Sequence, residues 1–266
     1  KKIGAAAFYF CDNLRSITLP KSVKTIEEYA LYNTILVYTD AQDISSWSKD
    51  AFDDNLVYIH KGLDLSKIVK ENNFEFYVDE TVSLLNYLGN DSIVVIPSEF
   101  NSKPVVEIAN SAFLKNQTLE EVTIGNNITI IKDKAFRETA LNSVEIPSSV
   151  KEIGEYAFSA CESLESVIFN EGLEIINISA FAACKNLLIA ILPSSLKRIE
   201  QYGFQNCLSI KTIYIPKNVE YIGEGAFYAC GRSTLYIEAA SIPSSWHANF
   251  SPSGAKKVFN ANKDNL

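Results

Sequence analysis

The chain has 266 residues, of which 47% are hydrophobic and 21% charged, a composition that can bury a core and is unlike that of a disordered chain. Its formal net charge of −8 and its lack of a Lys/Arg cluster argue against nucleic acid or an anionic membrane surface as the main partner. The longest apolar runs, residues 5–11 and 187–192, are too short to cross a bilayer, so no membrane insertion is expected. The sequence contains no Met and begins inside a repeat, which indicates a processed or trimmed part of a longer protein.

Residues 1–62 are predicted to form the end of a first repeat array and its terminal cap. The segment starts with IGAAAFYFC, and Phe8 is followed 23 residues later by Leu31 in IEEYAL. Trp47 follows a Ser-Ser pair near the end of the segment, and we interpret it as a large aromatic that covers the last open coil. A sugar or ligand site centred on Trp47 is the alternative.

Residues 63–107 are predicted to be a connector and a β-rich starting cap. LDLSKIVKENN reads as the connector, and FEFYVDETVSLLNYLGNDSIVVIP reads as strands broken by a turn at Gly89, Asn90 and Asp91.

Residues 108–233 contain a regular repeat and are predicted to form a second array. Its phenylalanines are spaced by 23, 22, 23, 23 and 23 residues, and they are Phe113, Phe136, Phe158, Phe181, Phe204 and Phe227. A second pattern, L-x-x-V-x-I, follows each Phe in phase, and its last positions alternate with the period of a strand. A fixed period of this length is typical of a solenoid in which neighbouring coils close one core.

Each unit can be drawn as one coil. SVEIP or TIYIP forms a short strand that ends at a proline such as Pro147 or Pro216, and a second apolar step follows. A short helical turn, opened by Gly154 or Gly223, is then predicted to carry the Ala-Phe pair.

The five cysteines all lie three residues after a repeat phenylalanine, and they are Cys11, Cys161, Cys184, Cys207 and Cys230. Equivalent side chains of stacked coils point the same way, which separates their Cβ atoms too far for a relaxed disulfide. The pattern therefore predicts a ladder of buried free thiols, with disulfides as the alternative.

Residues 234–266 are predicted to be a second terminal cap and a tail. TLYIEAASIPSSWHANF resembles ILVYTDAQDISSWSKDAF of the first cap, and Trp246 again follows a Ser-Ser pair.

The complete pattern resembles the BspA-like leucine-rich repeat family, as in IPSSVKEIGEYAFSAC and IPKNVEYIGEGAFYAC. The resemblance covers residues 1–39 and about 104–240. It implies an α/β repeat solenoid: a right-handed coil of units of about 23 residues, with a parallel concave sheet and short strands and helical turns elsewhere. It also implies a secreted or surface-attached, extracellular protein, with several members of the family implicated in adhesion.

No catalytic, cofactor or metal site is predicted. His60 and His247 are far apart in sequence, outside any ligand-spaced motif, and a surface role is expected for both. The run Asp53-Asp54-Asn55 lacks the spaced oxygens and glycine of a calcium loop and is interpreted as a solvated turn.

The expected function is a non-catalytic binding module that takes a protein or glycan ligand on the concave face, as an adhesin would. The alternatives are an intracellular interaction scaffold, or the repeat region of a larger protein that carries an enzyme domain elsewhere. Middle residues of the strands should point outward, and the candidate partner-binding residues are Thr123, Glu145, Ile168, Ile189, Ile191 and Tyr214. The sequence leaves the oligomeric state open.

Overall fold

The computed structural model describes residues 1–11, 14–32, 34–52, 58–231, 233–251 and 255–265. The chain divides into two compact units, Lys1–Asp79 and Glu80–Leu266. In the described ranges the only helical segments are short 3₁₀ turns at Lys49–Ala51, Leu65–Lys67 and Lys263–Asn265. Both units are therefore built from strands and turns.

The first unit contains a parallel three-stranded sheet, a two-stranded parallel pair and a hairpin. The sheet has the order β2-β4-β5, β1 pairs with β3, and β6 and β7 are antiparallel. The strands are β1 (Lys2–Ile3), β2 (Ser16–Leu19), β3 (Thr25–Ile26), β4 (Leu36–Thr39), β5 (Tyr58–Lys61), β6 (Ile68–Glu71) and β7 (Phe74–Val78). In the core of the first unit, Ile26, Leu31 and Val37 belong to the same buried cluster as Trp47.

The second unit contains the remaining strands, which are either two residues long or three to six residues long. The longer strands are β8 (Val82–Tyr87), β9 (Ile93–Val95), β11 (Lys103–Ile108), β12 (Glu121–Thr123), β14 (Ser143–Ile146), β16 (Ser166–Phe169), β18 (Ile189–Ile191), β20 (Thr212–Ile215), β22 (Thr234–Ile237) and β23 (Lys256–Phe259). The short strands are β10 (Glu99–Phe100), β13 (Ile130–Ile131), β15 (Glu152–Ile153), β17 (Ile175–Ile176), β19 (Arg198–Ile199) and β21 (Tyr221–Ile222).

Two parallel sheets run along the second unit. The eight-stranded sheet has the order β23-β22-β20-β18-β16-β14-β12-β9. The other passes through β21, β19, β17, β15, β13, β11 and β8, all paired in parallel, while β10 adds to β11 in the antiparallel direction. One strand of each sheet recurs per repeat, which confirms the predicted solenoid.

Strand alternation places the core between these sheets. In β14 and β16 the burial pattern alternates exposed and buried, so that Val144 and Val167 point inward. Ile153 and Ile176 are fully buried from the other sheet. The apolar positions of the sequence pattern thus fill one shared core, as the period-2 alternation requires.

A stack of aromatic rings runs through this core. Phe158 and Phe181 are parallel to within 1°, with ring centroids 5.1 Å apart. All repeat phenylalanines of this unit are fully buried. The stack continues in both directions, from Phe113 to Phe227, and Tyr87 takes the place of a phenylalanine beside Phe113 at 5.3 Å.

The Ala-Phe segments are not helical turns, so the "α/β" part of the predicted fold class is wrong. The amide of Phe158 donates to the Ala180 carbonyl of the next coil at 2.7 Å, and those of Tyr156 and Ala160 donate to the next coil as well. The amides between them donate to carbonyls three residues back within the same coil. Alternate N–H groups therefore form a ladder between coils, which is incompatible with the continuous i to i−4 bonding of an α-helix.

Left-handed backbone makes this pattern possible. Tyr156 lies two residues before Phe158 and Ala160 two residues after it, and their φ angles are 56° and 57°. Ser179 and Ala183 occupy the equivalent positions around Phe181, and their φ angles are 54° and 61°. An α-helix needs negative φ throughout, so two such residues per turn end any helix before it forms.

The cysteine ladder is present in four of five positions. Cys161, Cys184, Cys207 and Cys230 are buried free thiols, and each donates to the phenylalanine carbonyl of the preceding coil at 3.0 to 3.3 Å. Cys11 is free but exposed, which corrects the prediction for that residue. Within the described residues no carbonyl accepts a hydrogen bond from the Cys11 thiol, whereas a phenylalanine carbonyl covers each of the other four.

Both tryptophans are buried. Trp47 is 6% exposed and Trp246 is 5% exposed, and the indole N–H of Trp246 donates to the Val219 carbonyl at 3.0 Å. One further parallel strand follows each of them, β5 after Trp47 and β23 after Trp246. Because both rings are buried, neither is available to stack against a sugar.

Candidate functional site

The outward residues of the eight-stranded sheet form two columns, which together we call the outer face. The register places Ser166 beside Ile189 and Ile189 beside Thr212 in one column. In the other, Glu145 lies beside Ile168 and Ile191 beside Tyr214. Since parallel strands stack in register, residues predicted from one repeat position do line up across the sheet.

The candidate residues differ in exposure. Ile168 is 58% exposed and Ile189 is 49% exposed, while Thr123 and Glu145 are also exposed. Ile191 is half-buried. Tyr214 is only 5% exposed, contrary to its expected place in an exposed apolar cluster.

Tyr214 is buried, and the neighbouring coil supplies the partner of its hydroxyl. Its hydroxyl donates to Glu238 Oε2 at 3.1 Å, and burial, together with Glu238 and Asp264, raises the pKa of Tyr214 to about 12. Hydrogen bonding, first from the Lys217 amide, lowers the pKa of Glu238 and keeps it ionised. This end of the outer face is thus occupied by internal contacts.

The free end of the outer face contains a groove of about 400 Å³. Its rim combines the exposed isoleucines Ile93 and Ile168 with the carboxylates of Glu121 and Glu145, and Ser143 lies between them. Glu145 Oε1 accepts from Asn170 Nδ2 at 2.8 Å, which orients that carboxylate. The groove can therefore offer apolar contact and negative charge to a ligand.

The strand predicted after the turn at residues 89–91 is present as β9 and completes this groove, but its residues were not among the predicted partner-binding residues. β9 pairs in parallel with β12, so that Ile93 lies beside Glu121 and Val95 beside Thr123. Ile93 and Val95 are 62% and 63% exposed. The segment SIVVIP before Ser98 has the same alternation as the repeat strands and could have been aligned with them, although no repeat phenylalanine lies at the usual distance.

In the first unit, the outward residues of the three-stranded sheet are covered by the hairpin of β6 and β7. Glu75 of β7 is fully buried and accepts from Tyr38 Oη and Ser16 Oγ, each at 3.0 Å. Lys70 Nζ pairs with the same carboxylate at 2.5 Å. Ile17 and Val37 point to the opposite side, into the core, so Glu75 holds the hairpin on the outward residues of β2 and β4.

The histidines do not form a site. His247 is exposed, as expected, and its Nδ1 accepts from the Asn249 amide. His60 is half-buried, contrary to the expected surface role, and packs against Tyr38 and Tyr58 with ring centroids 5.4 and 4.7 Å away. Burial lowers the pKa of His60 to about 4.

Nothing in the described part of the chain groups three His, Cys, Asp or Glu residues as a metal would require. The Asp53-Asp54-Asn55 run lies outside the described residues. The same described ranges contain no helix that is long and apolar enough to cross a membrane.

Comparison with solved structures shows the same fold in bacterial proteins. A leucine-rich repeat protein from Eubacterium ventriosum is 21% identical with a TM-score of 0.56, over 92% of this chain and 82% of that one. A leucine rich cell surface protein from Faecalibacterium prausnitzii is 22% identical with a TM-score of 0.51, over 94% of this chain and 66% of that one. The chain thus spans slightly less than two thirds of the Faecalibacterium protein.

None of the curated proteins matches the chain significantly. The family model for the BspA type leucine rich repeat region, in six copies, matches residues 1–82 and 106–238, which is well over half of the chain. Its matched ranges contain the stacked phenylalanines, the buried thiols and the strands of both sheets in the second array. The chain belongs to the BspA-type leucine-rich repeat family.

Proposed function

We propose that the chain is a non-catalytic binding module of a secreted or surface-attached protein and that it contributes to adhesion by binding a protein partner. The observation that supports this most is the groove on the outer face, with exposed Ile93 and Ile168 beside Glu121 and Glu145. Exposed apolar groups gathered in one patch mark interaction sites more often than isolated ones do. The cell-surface description of the Faecalibacterium protein is consistent with this location.

The charge of the groove suggests the chemistry of the partner. The outward positions of β9 to β18 contain Glu121 and Glu145 but no Lys or Arg. A partner segment with a basic side chain flanked by apolar ones would pair with the carboxylates while its apolar groups cover the isoleucines. Complementary charge favours encounter and suppresses wrong partners.

Biolayer interferometry against a panel of purified extracellular-matrix proteins tests the proposal. For a protein that binds, Ile168→Asp and Glu145→Lys should each weaken affinity about tenfold or more, since each removes a central contact. Leu208→Asp is the matched control, because Leu208 is 54% exposed but lies outside the sheet.

Two outcomes would contradict the proposal. Unchanged affinity in the Ile168→Asp, Glu145→Lys double variant would place the site away from the outer face. Absence of binding across the whole panel would reject a matrix-protein ligand. Melting temperatures of all variants should stay near that of the unmodified chain, because exposed substitutions of this kind change stability little.

A further inference from the structure

A second cleft lies on the edge of the second unit that is formed by the Ala-Phe turns, away from the outer face. Its volume is about 490 Å³, within the range of small-molecule sites. The residues that line it come from three successive turns, and they are Tyr202, Gln205, Glu224, Gly225, Tyr228, Asn249 and Ser251. We call it the turn-edge cleft.

Aromatic rings and a glycine shape the turn-edge cleft. A Cβ placed on Gly225 would come within 2.7 Å of the Tyr202 ring, so the ring lies across the bare backbone of the next coil. Gly225 also has φ of +60°, a conformation that favours glycine. Tyr228 projects from the same coil as Gly225 and is 57% exposed. The cleft therefore presents one half-buried and one exposed tyrosine ring.

The rings are held by the ladder between coils. The Tyr202 amide donates to the Glu224 carbonyl at 3.0 Å, and the Gly225 amide donates to the Asn249 carbonyl at 2.9 Å. These bonds fix the spacing of the three turns. Because the backbone is fixed, the cleft is formed before any ligand arrives, which reduces the ordering cost of binding.

Polar side chains complete the turn-edge cleft. Gln205 and Asn249 offer amide donors and acceptors, and Glu224 offers carboxylate acceptors. Within the described part of the chain, no hydrogen bond engages these three side chains. Among the lining residues that the structure describes, Glu224 alone is charged, and its carboxylate disfavours anions.

We propose that the turn-edge cleft binds a neutral oligosaccharide. A pyranose ring has an apolar C–H face that stacks on an aromatic ring, and its hydroxyl groups both donate and accept hydrogen bonds. Tyr202 and Tyr228 supply the stacking surfaces, and Gln205, Glu224 and Asn249 pair with the hydroxyl groups. This site is independent of the protein-binding groove.

Aromatic-selective ¹³C NMR with titrated maltotriose, mannotriose, xylotriose, chitotriose and lactose tests the inference. At least one of these sugars, at up to about 10 mM, should shift the ring signals of Tyr202 and Tyr228 with saturation. Tyr228→Ala should weaken that binding about tenfold, and Tyr228→Phe should keep it within about threefold, since the ring face carries the contact.

Tyr156→Ala is the control for loss of a tyrosine from an Ala-Phe turn outside the cleft, because Tyr156 occupies the repeat position of Tyr202 two coils earlier, with the same left-handed backbone. It should bind like the unmodified chain, and trigalacturonate should not bind, since Glu224 repels its carboxylates. The inference is overturned if none of the neutral sugars shifts the two rings, if trigalacturonate binds more tightly than they do, or if Tyr228→Ala binds as the unmodified chain does.

Discussion

At the scale of single residues, the cysteines show how the repeat makes a reactive group inert. Cys161 is fully buried, its thiol donates to the Phe136 carbonyl at 3.0 Å, and burial raises its pKa to about 11. Burial also raises the pKa of Cys184 well above its usual range. The thiolate is the reactive form, so these groups are both inaccessible and protonated at neutral pH.

We therefore predict that a maleimide reagent labels one thiol of five in the native protein, namely the exposed Cys11. After denaturation without reductant, all five should react. Intact-mass spectrometry before and after denaturation gives both counts, and Cys11→Ser should remove native labelling entirely. Native labelling of two or more thiols, or fewer than five after denaturation, would contradict the ladder of buried free thiols.

His60 gives the first unit a predictable response to acid. Its pKa is lowered from 6.5 to about 4 by burial, so the folded state holds the neutral form. Protons bind the unfolded state more readily below pH 6.5. The stabilisation is thus fully present above pH 6.5 and is lost as pH falls towards 4.

The urea concentration at the unfolding midpoint of the first unit should decrease as the pH is lowered from 6.5 to 4. The His60→Phe variant should show a smaller decrease. Trp47 is the reporter in a Trp246→Phe background, because the chain has only two tryptophans. His247→Phe is the control, since that side chain is exposed. If the urea midpoint decreases equally with acid in the His60→Phe variant and its parent, protonation of His60 is not the cause of the acid sensitivity.

Residue positions that follow the period were predictable, and those set by irregular segments were not. The spacing identified Phe113 to Phe227 as core residues because every stacked coil needs the same filling. It missed Tyr87, which takes the next place in the stack at a different spacing. It also placed Tyr214 among exposed residues, because no repeat pattern shows that Tyr214 is buried and that its hydroxyl bonds to Glu238 of the next coil.

At the scale of elements, the phenylalanine stack is what neighbouring coils share. Phe181 is fully buried and lies 5.1 Å from the rings of both Phe158 and Phe204. Phe169 adds an edge contact to it at 5.5 Å. Removal of this ring would leave a cavity in the core, lined in part by these three rings.

Phe181→Ala should lower the free energy of unfolding by about 3–5 kcal/mol, the range for truncation of a buried phenylalanine. Urea unfolding followed by Trp246 fluorescence in a Trp47→Phe background reports on the second unit alone. Tyr228→Ala, at an exposed position of a neighbouring turn, should cost less than about 0.5 kcal/mol. A Phe181→Ala variant as stable as its parent would show that the rings do not stack in the core.

The element types were predicted in part. The strands of the eight-stranded sheet followed from their alternation and, in several repeats, from a proline such as Pro147 or Pro216 that follows the strand. The Ala-Phe segment was misassigned as helical, because Ala, Glu and Phe at short spacing suit a helix locally. The hydrogen bonds to the next coil decide against it, and sequence propensity alone contains no information on bonds between coils.

At the scale of the whole molecule, each unit repeats the same stacking but uses its outward residues differently. In the first unit, Glu75 and its hairpin cover Tyr38 and Ser16. In the second, Ile93, Val95 and Ile168 stay exposed. The repeat determines the scaffold, whereas the few outward positions that vary between coils decide which surfaces remain free for a partner.

The Ala-Phe turns are bonded from coil to coil, and native-state hydrogen exchange with fragment-resolved mass spectrometry tests this bonding most directly. The amides of Phe136, Phe158, Phe181 and Phe204 donate to the next coil at 2.7 to 2.8 Å. They should therefore exchange slowly and together, at the rate of global unfolding of the second unit. Independent exchange of these turns at the rate of exposed loops, while the strands stay protected, would contradict the account.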